Sequence, residues 1–341
     1  MDASLRVGTA LIGLLLILAF LQSASRVALI NRQRGDWLAR RVGWLVYTTL
    51  GRLARKQQKY ENVQDVLVWV LLLYILLVII MWFGLVLAGF ALLIWSCQAE
   101  HSLLEAVIAS GSQLSTLGFL TPPDTAGRLL AILEGAMGLG IVVFYFTFIP
   151  GYQTTIQVRQ VKVDWLYARV SHGLTNFTLL EWFMLSGAED WESWFRDLGE
   201  SHGLVPVLAL VPTVHRNQTW LAAAAVALDS ASFYLAAIEA QGAPSATVCH
   251  RTGVRALRVI ASEFADRQAM PQASGGRCLA RPDFDMAYDR LASLGATLKA
   301  EREACWRRFV ELRGEYEAFL QSLAKTLLVP ANDRLLLPLA A

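Results

Sequence analysis

"SGSQLSTLGFLTPPD", residues 110–124, sets small hydroxyl residues, two glycines and a proline pair between two long apolar stretches, with no charge before Asp124. Backbone that leaves the helix at membrane depth is tolerated only where protein buries it or where it lines a watery cavity. What this break means depends on whether its flanks cross a membrane.

They have the composition for it. The chain has 341 residues, of which 55% are hydrophobic and 17% charged, and its mean hydropathy is +0.43. Soluble domains carry more charge and less apolar sequence. Val7–Ser25 and Val66–Ala99 contain no charge, and Leu129–Val158 contains one, Glu134. Each is long enough for one crossing at about 1.5 Å per residue. Pro150-Gly151 reads as the end of the third span. Val7–Ser25 also admits a signal-peptide reading, with Arg6 before it and "SAS" at 23–25 as a cleavage site.

Between the second and third spans, "HSLLEAVIASGSQL" (101–114) places Leu103, Leu104, Val107 and Ile108 on one helical face. Ser102 and Glu105 have capping-box spacing. Such a helix is too short to span and fits a re-entrant segment. The loop between the first two spans carries Arg26, Arg32, Arg34, Arg40, Arg41, Arg52, Arg55, Lys56 and Lys59 against three acids. The positive-inside rule places it in the cytoplasm, with the N-terminus outside, the break entering from outside and the C-terminal tail inside. That orientation disfavours cleavage of the first span and glycosylation at "NFT" (176–178) and "NQT" (217–219).

On these residues the chain resembles the bacterial potassium-channel-like family over roughly Val66–Tyr152. "STLGF" looks like the family's filter motif Thr-Val-Gly-Tyr-Gly: Thr116 matches the Thr, Leu117 the Val, Gly118 the first Gly and Phe119 the Tyr. "AGRLLAILEGAMGLGIVVFYF" resembles the inner helices of these channels. The resemblance implies an ion filter of Ser115, Thr116, Leu117, Gly118, Phe119 and Leu120, a homotetramer, and potassium or another monovalent cation as permeant ion without a cofactor. Aligned backbone carbonyls can replace an ion's hydration shell, and Gly118 is the residue that takes the required backbone angles cheaply. The chain departs from the family where the second filter Gly and the following Asp are Leu120 and Thr121, so the outermost ion site is expected to be altered. Phe119 is expected to pack as a cuff behind the filter.

Glu134 is the one ionisable group inside a span. It is expected to support the loop through Ser110, Ser112 or Ser115, the sharper alternative being a cation site lining the cavity. Glu105, with Glu100 and Asp124, would enrich cations at the outer mouth. Gly135, Gly138 and Gly140 suit tight helix packing or a gating bend, and Phe146 or Phe148 a hydrophobic constriction.

The expected fold is an all-α membrane protein. It has an N-terminal transmembrane helix (1–30), a basic amphipathic cytoplasmic segment (31–65) and a pore module (66–152). The module comprises outer helix 66–96, pore helix 102–114, filter 115–120 and inner helix 128–150. A helical cytoplasmic domain (153–341) follows. The basic segment, with Trp37 and Trp44, reads either as a helix on an anionic inner leaflet or as a linker packed on the tail. Trp220–Leu228 imitates a span but meets Asp229 early, which suits a buried core helix. Trp191, Trp194, Phe195 and Leu198 form one apolar face ending at Gly199. Trp306, Phe309, Leu312, Tyr316, Phe319, Leu320 and Leu323 form another, and Gln268–Arg281 is a polar loop.

Cys97, Cys249, Cys278 and Cys305 form no CxxC pair, and His202 and His215 with Glu200 lack metal-ligand spacing. No nucleotide-binding or catalytic motif is present, so neither an enzyme nor a nucleotide-gated domain is expected. A net charge of +2 gives no signal for nucleic acid. The reading is therefore a cation channel of a bacterial inner membrane with an unknown cytoplasmic regulator. The alternative is a non-conducting membrane sensor or scaffold that keeps the pore fold and signals through its cytoplasmic helices.

Overall fold

The computed structural model describes residues 3–28, 36–97, 102–122, 124–171, 188–215, 218–239, 243–264 and 281–329. Among these residues every regular element is a helix, and the β structure is a single bridge between Ile238 and Leu298. Four helices are long and apolar enough to cross a membrane, by length and composition, and the described residues are all-helical, consistent with an all-α membrane protein. It divides into two compact units, Met1–Tyr47 with Leu71–Thr154, and Thr48–Val70 with Thr155–Ala341.

The first unit is built on α1 (Ala3–Ala28), the first part of α2 (Trp37–Ala54), α4 (Trp69–Ser96), α5 (Leu103–Leu114) and the first part of α6 (Thr125–Ser171). Helix α1 meets α4 through glycines. A Cβ on Gly13 would stand 2.6 Å from the Gly89 carbonyl oxygen, and one on Gly89 2.7 Å from Ile17 Cγ1. Small residues let backbones approach where no water drives the helices together. Below that crossing is a buried polar knot. The Trp82 indole donates to Ser23 Oγ (2.9 Å), Ser23 donates to Asp36 Oδ2 (2.6 Å), and that carboxylate caps α2 by accepting from Ala39 N (2.8 Å). Ser23 lies inside α1.

The second unit contains α3 (Tyr60–Leu67), the end of α6, α7 (Ala188–Leu204), α8 (Val207–Leu210), α9 (Trp220–Ala237), α10 (Ala243–Phe264), α11 (Arg281–Ser293), α12 (Arg302–Gly314) and α13 (Glu317–Thr326). Helix α9 is its centre. Thr219 caps it, accepting from Ala222 N at 3.0 Å. Gly253 of α10 lies against Leu228 and Phe195, and Phe233 packs with Phe284 and Phe309 of α11 and α12. Asp229 interrupts the apolar run because Arg313 Nη1 reaches both its oxygens at 2.9 Å and the Tyr316 hydroxyl donates to it at 2.6 Å.

Several expected boundaries move. The inner helix does not stop at residue 150. Pro150 lies within α6, which runs to Ser171, because proline removes a single i→i−4 donor and the helix continues across the gap. The outer helix expected from residue 66 is divided at Val68 into α3 and α4. Gly199 does not end α7. It rests against Ala256, where a Cβ would stand 3.1 Å from its methyl carbon, and the helix runs on to Leu204. The stripe from Trp306 to Leu323 is divided between α12 and α13. Arg281 opens α11; residues 268–280, Cys278 and the "NFT" site lie outside the described residues, as does Asn217 of "NQT".

Candidate functional site

The polar break follows α5, whose N-terminus carries the full capping box. Ser102 Oγ accepts from Glu105 N, and the Glu105 carboxylate accepts from Ser102 N, both at 3.1 Å. Glu105 thus holds the start of α5, satisfying donors that a helix N-terminus leaves open. At the other end, Ser115 is right-handed, with φ −77 and ψ 0, and Thr116 is left-handed, with φ 60. Thr116 N donates to Gln113 O (2.9 Å) and Leu117 N to Ser112 O (3.1 Å). This is a Schellman cap, formed on a threonine where glycine is usual.

The turn continues beyond the cap. Gly118 N also donates to Ser112 O, at 2.9 Å. Its φ of +65 is the left-handed conformation that glycine adopts without steric cost. Leu120 is pinned at both backbone groups: its N–H donates to Ser112 Oγ (3.0 Å) and its carbonyl accepts from Gln113 Nε2 (2.8 Å). The donors of residues 116, 117, 118 and 120 therefore turn in toward α5. Among the described residues, no hydrogen bond is accepted by the carbonyls of Thr116, Leu117, Gly118 or Phe119.

This geometry bears on two expectations. The left-handed residues are Thr116 and Gly118, while Leu120, at the place of the second filter glycine, has no positive φ. Phe119 does not pack behind the loop of its own chain; its ring is 68% exposed, and Leu117 is 72% exposed.

Support comes from α4 and α6. Fully buried Glu134 of α6 makes a hydrogen bond with Ser110 of α5, and Ser110 Oγ also contacts the Leu87 carbonyl of α4 at 3.0 Å. Ser112 acts through the loop, by way of Leu120 N and its own carbonyl, and Ser115 Oγ donates back to that carbonyl at 3.3 Å. Glu134 thus meets one of the three serines expected. Its Oε2 is buried and has no hydrogen-bond partner among the described residues.

The gate residues separate. Gly138 is buried against the end of α5, where a Cβ would overlap the Leu114 carbonyl oxygen, while nothing lies within 4 Å of a Cβ on Gly140. Phe148 stacks on Phe144 with centroids 4.0 Å apart, and Phe144 meets Trp82 edge-on at 5.1 Å. Phe146 points away, 71% exposed. Two residues apart on a helix project to nearly opposite sides, so Phe146 and Phe148 are true alternatives: only one of them faces a given constriction.

In the second unit, a cluster missed from sequence surrounds Arg159. Its guanidinium is buried and donates to the carbonyls of Leu208 (2.9 Å) and Val211 (2.8 Å), with His202 Nε2 at 3.2 Å. Burial, reinforced by the Arg159 charge, holds the His202 imidazole well below its ordinary range, although a backbone hydrogen bond to Leu198 opposes this. The neutral ring can accept from Arg159 at Nε2. The sequence signal was the buried-face spacing of Leu198 and His202 on α7. Among the described residues no group of His, Cys, Asp and Glu could hold a metal ion.

No protein-family model, no curated protein and no solved structure matches the chain.

Proposed function

We propose that the protein is a homotetrameric channel for monovalent cations, potassium among them, and that residues 102–120 are its re-entrant pore helix and filter. The observation that carries the reading is the division of backbone groups after α5. Leu117 N and Gly118 N converge on Ser112 O and Thr116 N turns back to Gln113 O, while the carbonyls of Thr116 to Phe119 accept no hydrogen bond among the described residues. Right-handed Ser115 before left-handed Thr116 turns successive N–H groups toward one acceptor. Carbonyls freed in sequence are what a cation needs in place of water. One chain supplies one strand of such carbonyls, so several chains must surround the ion. In that assembly the exposed rings of Phe119 meet neighbouring subunits. Glu134 holds the loop from behind, Glu105 adds negative charge near the mouth, and the permeant ion is the sole ligand. The basic loop orients the chain in a bacterial inner membrane with its N-terminus outside and its C-terminus in the cytoplasm, where an unidentified regulator acts on the helical unit.

A second reading, a non-conducting sensor or scaffold, is favoured by one observation. Leu120 commits both backbone groups to α5, so the carbonyl row ends at Phe119. Purified protein in liposomes separates the two. Potassium flux above that of empty liposomes supports the channel, with a larger flux expected on Leu120→Gly. Folded protein without flux supports the sensor.

A further inference from the structure

Helix α2 has two unlike faces. Asp36, Ala39, Val46 and Leu50 are buried against protein. On the other side Trp37 is 55% exposed and Trp44 57% exposed, with Arg40 and Arg41 exposed between them. The helix contains no acidic residue. The Arg41 guanidinium lies 4.0 Å from the centroid of the Trp37 ring, an arrangement that keeps an arginine head beside an indole.

The start of this helix is fixed in depth. Asp36, its cap, takes a hydrogen bond from Ser23, which lies in the last two turns of α1 and itself accepts from Trp82 of α4. Both α1 and α4 are candidate membrane spans. The exposed face therefore begins within two turns of the end of α1, on the side of the bilayer at which that helix ends. Indoles favour the boundary between acyl chains and headgroups, and arginines there attract anionic lipid within a Debye length.

We propose that the outward face of α2, centred on Trp37, Arg40, Arg41 and Trp44, is a docking surface for anionic phospholipid headgroups in the leaflet at which α1 ends. The two indoles seat at the level of the glycerol backbone and the two guanidiniums take the lipid phosphates, a fork geometry suited to phosphate oxygens. The proposal stands apart from ion conduction and needs only that α1 and α4 cross a bilayer.

The test uses the full chain in nanodiscs of equal parts phosphatidylcholine and phosphatidylglycerol, one or the other brominated on its acyl chains. The signal is the part of the tryptophan emission that Trp37→Phe with Trp44→Phe removes. Brominated phosphatidylglycerol is expected to quench it more than brominated phosphatidylcholine. Arg40→Gln with Arg41→Gln abolishes the preference, each charge being worth about fivefold in lipid association, whereas Arg40→Lys with Arg41→Lys retains it. Equal quenching by the two lipids, no quenching by either, or a preference that survives the glutamine pair would overturn the proposal. If the glutamine pair fails to fold, the parent's comparison of the two brominated lipids decides alone.

Discussion

In α4, 28% of the most apolar window is buried by the rest of the chain; in α9 the share is 83%. Both helices pass a hydropathy criterion for spanning, yet their surroundings differ. Helix α4 presents Leu72, Leu76 and Ile80 outward, while α9 is wrapped by α7, α10, α12 and α13, with α11 packed on its end, and exposes almost nothing. The carboxyl groups in apolar helices repeat the contrast. Glu134 of α6 meets a serine hydroxyl. Asp229 of α9 meets one arginine nitrogen at both its oxygens and a tyrosine hydroxyl. An apolar helix can thus be made for lipid or for a protein core, and the partners of its one charge distinguish the two better than its hydropathy does.

The sharpest way to break this comparison is at Asp229. Asp229→Ala removes the carboxylate that buried Arg313 Nη1 reaches and should cost about 3–5 kcal/mol, measured as a shift in denaturant unfolding of the second unit. Asp229→Leu with Arg313→Met should recover most of that loss. If Asp229→Ala is silent, α9 is not held as a core helix. The next effect is expected in the first unit. Gly138→Ala forces a methyl into the Leu114 carbonyl and should lower thermal stability in detergent by about 1–3 kcal/mol, whereas Gly140→Ala, with open space around it, should be near neutral.

A pH series probes the second unit. The His202 imidazole is depressed in the folded state. The unfolded chain therefore takes up a proton first, near pH 6.5 by the ordinary value of about 6.5. The stability tied to the neutral ring is complete above that pH and is lost as pH falls toward the folded value. The slope should reach about 1.4 kcal/mol per pH unit, and His202→Gln should flatten it relative to the parent. The smallest effect should come from Glu134→Gln, which keeps a hydrogen-bonding group for Ser110 and should cost under about 1 kcal/mol; Glu134→Leu should cost up to about 2 kcal/mol in the same thermal assay.

The helices were legible where pattern and chemistry agreed. Uncharged runs marked the spans, Ser102 and Glu105 marked the start of α5, and Asp229 marked α9 as protein-facing. Boundaries were less legible. Pro150 and Gly199 carry stop signals, but a long helix absorbs one missing donor, and a glycine can serve close packing instead of termination. Around the break, Gly118 announced a positive φ. Thr116 did not, because its left-handed turn is set by where α5 ends and by the Ser112 carbonyl, not by its own preference. The ties of Leu120 to Ser112 and Gln113 were likewise hidden, since they join side chains of a helix to a loop seven and eight residues on. Arg159 and His202 are far apart in the chain, and nothing local links them.

The most direct measurement of the central claim is potassium flux into liposomes from the parent protein beside Gly118→Ala. The substitution leaves the packing of α4, α5 and α6 untouched, because nothing lies within 4 Å of a Cβ at Gly118. It strains the left-handed backbone on which the row of carbonyls depends. The account predicts flux from the parent and a fall of about tenfold or more in the variant, a loss that corresponds to about 1.4 kcal/mol. Equal flux from the two proteins would contradict it.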